Sequence, residues 1–333
     1  MNMEKLVSLS VKHNASDLHL CVGQVPVLRI NGILYPQMQL EEIQPDTIEK
    51  WSEEILSDMQ KQQLQEHGHV DFVIVMLDRQ RLRGNLFYQQ SHLSLVLRLI
   101  PDKCPTLEQL YAPEIIQRLI LQEVSGLILV TGATGSGKST TLSAMINALN
   151  SQSSKHVIML EEPIEFVHQS RNCLIQQRQI GEDAQNYQMA LKGALRQDPD
   201  VILLGELRDK ETIRLALTAA ETGHLVLSTL HTRGAIQAID RLIDVFSAEE
   251  KSWICSQLGG SLKAVIAQQL LPAKKEDRVA IHEILVVNQA VGHLIREGKN
   301  HQIATLMQTG GAYGMQTYEQ SRQQRKSLGL LAE

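Results

Sequence analysis

The stretch GATGSGKST, residues 132–140, constrains this chain more than any other. Gly132, Gly137, Lys138 and Ser139 fill the spacing G-x-x-x-x-G-K-[ST]; before them runs the apolar SGLILVT, and after them TTLSAMINALN carries Leu142, Met145, Ile146 and Leu149 at helical spacing. A strand, a glycine-rich turn and a helix in that order make a phosphate loop. Its residues, Gly132, Ala133, Thr134, Gly135, Ser136, Gly137, Lys138, Ser139 and Thr140, offer backbone N–H groups and a helix N-terminus to an anionic phosphate. Lys138 is expected to reach the β and γ phosphates and the Ser139 hydroxyl to ligate magnesium, so ATP and Mg2+ are the expected ligands. The alternative is a glycine-rich turn with an unrelated lysine, and the flanking strand and helix weigh against it.

At 333 residues the chain exceeds what one hydrophobic core usually serves, and the loop begins only at 132, so a separate domain is expected ahead of it. Hydrophobic content of 43% with 21% charged residues is that of a folded, water-facing protein. No apolar stretch is long enough for a membrane span and the first residues lack a secretory signal, which predicts a cytoplasmic protein. The net charge of −5 gives no broad reason to expect nucleic acid as a partner. The cysteines, Cys21, Cys104, Cys173 and Cys255, are too far apart for a C-x-x-C metal or redox site.

Helical spacing in MEKLVSLSVKHN, residues 3–14, the alternating DLHLCV, two short runs split by Asn31-Gly32, helices within 44–66 and three further strand-like runs predict an amino-terminal α+β domain over residues 1–100, with a largely antiparallel sheet. Pro101, Pro105 and Pro113 place a linker at 101–115. From there strands (GLILVT, HVIML, CLIQQ, DVILLG, HLVLSTL) alternate with helices near 184–196 and 209–222, which predicts a mostly parallel sheet covered on both faces, within a domain spanning 116–333. After about 250 the pattern reads as mainly helical.

Two acidic clusters come after the loop at strand ends, where ligands gather in open α/β sheets. MLEEPIEFVH holds Glu161, Glu162 and Glu165, and DVILLGELRD ends an apolar strand on Glu206. Hydrolysis needs one carboxylate to steer magnesium and another to orient water, and the two clusters supply both; a solvated charged loop is the alternative for the first. His224 and His231 flank the strand of TGHLVLSTLHT, either as packing residues or as sensors of a γ phosphate.

Taken together, ASDLHL, VPVLRINGIL, GATGSGKST, LEEPIEFVH with NCLIQQRQIG, DPDVILLGELRD, ETIRLALTAAETGHLVLSTLHT and QTGGAYGMQTYEQ resemble, in order and over nearly the whole chain, the type II and type IV secretion and pilus ATPases, and among them the PilT-like pilus retraction ATPases. The resemblance implies a RecA-like P-loop NTPase domain with a helical C-terminal part, preceded by a smaller α+β domain of PAS-like fold. It makes Glu165 the catalytic glutamate that polarises water and Glu206 the acid that helps hold magnesium together with Ser139 and Glu162. His224 and His231 fall on the family's histidine-box positions, and Arg83 and Arg98 become candidate phosphate contacts from the smaller domain, where they otherwise read as strand residues.

The same resemblance implies a homohexamer, cytoplasmic and peripheral at the inner membrane, that hydrolyses ATP to drive pilus retraction through an inner-membrane platform protein, with a paralogous pilus ATPase as a further candidate partner. The absence of a tetracysteine site and of a long amino-terminal extension favours this shorter branch over the assembly and type II secretion motors. A weakly hydrolysing, ATP-holding regulator and a DNA-translocating ring are the other readings, the second disfavoured by the acidic charge. Two departures stand out: Glu162 where the family usually has aspartate, and AVGHLIRE at 290–297 where PilT proteins have a motif close to AIRNLIRE. Gly292 replaces its first arginine, and a glycine inside a helix costs about 1 kcal/mol against alanine, so weakened coupling is expected there.

Overall fold

A computed structural model describes residues 2–76, 80–100, 103–274 and 278–331. The chain divides into two units, Met1–Lys103 and Cys104–Glu333. The first holds helices α1 (Met3–Lys12), α2 (Pro45–Ile55) and α3 (Asp58–His67) and strands β1 (Asp17–Cys21), β2 (Val27–Ile30), β3 (Ile33–Pro36), β4 (His69–Val75), β5 (Arg81–Gln89) and β6 (His92–Ile100). The strands form one antiparallel sheet in the order β3-β2-β1-β6-β5-β4, and the Asn31-Gly32 turn pairs Ile30 with Ile33. Alternation decides its faces: Leu18, Leu20, Leu28, Leu82, Leu86, Leu95 and Leu97 bury with Leu6, Ile48 and Trp51 of the helices, while Asp17, Arg29, Arg83 and Arg98 point the other way.

The second unit carries α4 (Glu114–Gln122), β7 (Gly126–Thr131), α5 (Lys138–Gln152), β8 (His156–Glu161), β9 (Leu174–Gln179), α6 (Tyr187–Ala194), β10 (Val201–Leu204), α7 (Lys210–Glu221), β11 (Leu225–Leu230), α8 (Ala235–Asp244), α9 (Ala248–Ser261), β12 (Leu262–Pro272), β13 (Arg278–Val286), α10 (Gln289–Arg296), α11 (Ile303–Thr309) and α12 (Tyr318–Ser327). Seven strands order as β13-β12-β7-β11-β10-β8-β9, parallel except for the antiparallel edge pair β12–β13. Along β7, Leu127 and Leu129 bury beneath α6 to α10, whereas Ile128 and Val130 bury beneath α4 and α5. A sheet covered on both faces reads as unbroken apolar runs, which is why β7, β8, β10 and β11 are legible in the sequence, while β9, LIQQRQ, is a polar edge strand. The stretch after 250 is not mainly helical throughout: β12 and β13 extend the sheet there, LKAVIAQQLLP being buried as a strand although its apolar run is long enough to read as helix. Of the proline-rich stretch at 101–115, Pro101 lies outside the described residues, while Leu107 is buried in the second unit's core.

Gly292 has a packing reason rather than a loosening effect. A Cβ at Gly292 would lie 2.7 Å from the Gly259 carbonyl oxygen of α9, a Cβ at Gly259 would lie 2.6 Å from the Gly292 carbonyl oxygen, and Arg296 Nη1 donates to Gly259 O at 2.9 Å. The two helices meet backbone against backbone, so the residue expected to weaken α10 is what lets it dock.

α12 docks on β13. His282 N–H donates to Ser321 Oγ at 3.0 Å, and the His282 ring, 1% exposed, is pushed down to about 3 by burial and then by the Arg325 charge. An unfolded histidine titrates near 6.5, so between pH 6.5 and 3 the unfolded chain binds a proton the folded chain refuses. The contribution is fully present above 6.5 and lost as pH falls through that window. Lowering pH from 7 to 5 is expected to cost about 2 kcal/mol through this one ring. Urea unfolding of His282→Gln at both pH values should show a pH-dependent loss smaller by that amount; equal losses in variant and parent would remove His282 as the source.

Candidate functional site

The phosphate loop sits where β7 ends. Thr131 Oγ1 accepts from Thr232 N–H at 2.9 Å and lies 2.8 Å from Thr232 Oγ1, tying the end of β7 to the residue pair just past β11. Gly137 then takes a φ of 85° immediately before α5, and a Cβ there would lie 2.8 Å from Gln268 Nε2. No side chain caps α5, which leaves the first backbone N–H groups of that helix for an anion.

Lys138, 9% exposed, donates to Gly132 O at 2.9 Å and Ala133 O at 3.1 Å. Burial pushes its ammonium below the ordinary lysine range, against the opposing pull of the Glu165 charge. His231 Nδ1 lies 3.4 Å from Lys138 Nζ and His231 Nε2 lies 2.9 Å from Glu206 Oε2. Burial, then the charges of Lys138 and Arg208, hold the ring below its ordinary value. The neutral ring therefore accepts from Lys138 and donates to Glu206, linking the loop to the acid at the end of β10. Arg208 pairs with Glu206 on its other oxygen and reaches Glu162 at 3.5 Å.

The loop after β8 that carries Glu162 and Glu165 is held by β9. Gln177 Nε2 donates to Phe166 O at 2.8 Å and to Glu161 Oε1 at 2.9 Å, and its oxygen accepts from His168 N–H at 2.8 Å; Gln179 Oε1 accepts from Ile164 N–H at 3.2 Å. The three glutamates of EEPIE part ways: Glu161 is buried against β9, Glu162 faces Arg208, and the charge of Glu165 is felt by Lys138.

The family resemblance implies a place at the site for both histidines, and the sheet separates them. Leu225 pairs with Gly126 and Leu230 with Thr131, so His224 stands at the opposite end of β11 from the loop, ~20 Å from Leu230 along the strand. There its Nδ1 faces Ala219 O at 3.1 Å. His224 is corrected accordingly: it does not share the site of Lys138 within this chain. Arg83 and Arg98 lie directly opposite one another on β5 and β6, on the face of the first unit's sheet away from its core. Arg98 Nε donates to Asp17 Oδ1 at 2.8 Å, and Arg83 lies 3.9 Å from Asp71.

Gln268 escapes sequence reasoning. Buried on β12, its amide nitrogen donates to Ser136 O at 2.6 Å and its oxygen accepts from Thr141 Oγ1 at 2.7 Å, bracing the loop from the side away from His231. Its one signal is a glutamine pair interrupting the apolar run AVIAQQLL. On that same side a cavity of ≈ 170 Å³ opens beside Gly137, with Thr140 and Thr141 at its loop edge and Leu110, Tyr111, Leu270 and Val279 around it. Among the described residues no group of three or more His, Cys, Asp or Glu is arranged to hold a metal ion. The Ser139 hydroxyl in the first turn of α5 and the Glu206 carboxylate just past β10 are oxygen donors of the kind magnesium takes, with waters and substrate phosphates completing its shell.

The profile of the type II/IV secretion system proteins matches residues 3–328. The uncharacterized protein YggR of Escherichia coli K12 is 54% identical over 331 residues, covering 99% of this chain and 100% of its own. PilT of Pseudomonas aeruginosa, a type IV pilus retraction ATPase, is 44% identical over 332 residues, covering 100% and 96%. The crystal structure of the pilus retraction motor PilT with bound ADP aligns with a TM-score of 0.91 at 38% identity, over 100% of this chain and 95% of that one.

Proposed function

The chain belongs to the type II/IV secretion system protein family and is a PilT-like, ATP-hydrolysing P-loop enzyme with a RecA-like second unit, and from that premise we propose that it works as a homohexameric motor for type IV pilus retraction. The observation that carries the reading is the contact chain Lys138–His231–Glu206 beside the phosphate loop, in a chain that matches PilT from end to end.

In this reading the phosphates of ATP lie over the loop, within the N–H groups of residues 132–140. Lys138 exchanges its bonds to Gly132 O and Ala133 O for β and γ oxygens. Glu165, whose charge Lys138 feels, polarises the attacking water. Ser139, Glu206 and Glu162 are the residues that would hold magnesium, which when bound neutralises charge on the β and γ oxygens. His231 bridges Lys138 and Glu206 and so feels the γ phosphate depart. Sheet order supports one direction for the nucleotide: β7 lies between β11, which brings His231, and β12, so with the phosphates over the loop and the γ end toward His231 the base would lie in the cavity on the β12–β13 side. Arg83 and Arg98 enter as cations offered from the first unit, where an arginine stabilises charge on the transferring phosphoryl group.

No helix among the described residues is long and apolar enough to cross a membrane. We place the ring at the cytoplasmic face of the inner membrane, acting on a platform protein of the pilus machine, with a paralogous pilus ATPase as a second motor. Differential affinity for ATP and ADP between open and closed arrangements of the two units would drive the stroke. Deleting the gene is expected to raise the number of surface pili and abolish twitching, counted by electron microscopy and colony spreading. Loss of surface pili would assign the motor to assembly instead.

A further inference from the structure

We propose that Arg325, on the C-terminal helix α12, is a positioning residue for the base end of the nucleotide site, acting through Tyr111 and Ala280. The inference rests on the proposed reading in which the cavity beside Thr140 takes the base.

Arg325 is 2% exposed, and its guanidinium is satisfied by carbonyls, Nε donating to Ala280 O at 3.0 Å and Nη2 to Tyr111 O. Both residues line the cavity, from different parts of the chain: Ala280 from β13 and Tyr111 from the segment ahead of α4. A buried cation is retained where several acceptors converge on it, and a planar guanidinium holds two carbonyls at a fixed angle that a lysine cannot copy. Tyr111 is also a backbone outlier. Its φ is 51°, a left-handed conformation that a residue with a Cβ adopts at a cost, and it persists where the surroundings enforce it. Three contacts enforce it: Tyr111 N–H donates to Glu108 O at 2.9 Å, Ala112 N–H to Leu107 O at 2.9 Å, and Arg325 grips the carbonyl between them.

Arg325 thus fixes one wall of the cavity against another without reaching the phosphate loop, whose own brace is Gln268. This separation of the two braces predicts a separation of effects. Arg325 variants should weaken ligands that have a base and spare those that are phosphate alone, whereas Gln268→Met should weaken both.

The test is calorimetric titration of ADP and of inorganic tripolyphosphate, each with magnesium, into the full-length protein and its Arg325→Met and Arg325→Lys variants, beside Gln268→Met and the cavity-filling Leu270→Trp. Arg325→Lys retains the charge and guards against a methionine variant that fails to fold. The expected result is ADP affinity reduced by about tenfold in either Arg325 variant with tripolyphosphate affinity unchanged. A lowered melting temperature with both affinities intact would make Arg325 structural only and overturn the proposal; equal loss for both ligands would place its effect at the loop and overturn it as well. If Leu270→Trp leaves the ratio of ADP to tripolyphosphate affinity at the parent value, the cavity is not a base site, and the premise fails together with the role of Arg325.

Discussion

Glu165→Gln is expected to lower steady-state ATP turnover by about 10²–10⁴-fold while the protein still binds ATP. Glutamine keeps the size of the side chain and its place in the loop braced by Gln177 and Gln179, and removes only the negative charge that polarises water. Lys138→Ala separates the other half of the chemistry. It deletes the cation over the loop and is expected to lose ATP binding itself, so the two variants fail at different steps. Turnover should be measured on the oligomeric fraction, with ATP binding monitored in parallel. Parent turnover no faster than that of Glu165→Gln would end the motor reading and favour an ATP-holding regulator of a partner motor.

Restoring the arginine that PilT-like proteins carry in their AIRNLIRE motif is expected to harm this chain. Gly292→Arg should destabilise the second unit by about 3 kcal/mol, the upper end for forcing extra atoms into a packed contact. The obstacle is the Gly259 carbonyl, backbone rather than a movable side chain, at 2.7 Å from the first added carbon. Gly292→Ala isolates that carbon: about 1 kcal/mol of gained helix propensity is set against the same clash, and the net change should be a smaller loss. Urea unfolding curves decide it. A Gly292→Arg protein as stable as the parent would mean that α9 and α10 slide apart freely.

What the sequence reveals and what it conceals divides by range. The phosphate loop, the acids at the ends of β8 and β10 and the strands up to β11 are local: each is a short run whose own periodicity or spacing announces it. β12 stays hidden because α9 passes into it at Ser261 and Leu262 with no turn between, so a helical pattern runs on into a buried strand. The two histidines mislead for a related reason: neighbours on either side of one strand are near in sequence, yet a strand has two ends, and only one meets the loop. Gln268 and Arg325 are invisible because their partners, Ser136 and Tyr111, are remote in sequence and nothing about a lone glutamine or arginine says what it will brace. Gly292 shows the converse error, in which a correct propensity argument loses to a tertiary contact.

The order of the second sheet also sets a schedule for synthesis. Every strand of the first sheet has left the ribosome soon after Ile100 is made, so that unit can fold on the growing chain. β7 cannot do the same, because its two flanking strands begin only at Leu225 and Leu262. The phosphate loop therefore hangs from an unflanked strand until β11 has been made, and Gln268, its brace, comes later still. Nucleotide binds the folded site, so its stabilising effect is expected only in chains extended past Gln268, and shorter translation products should stay as sensitive to protease with ATP as without it.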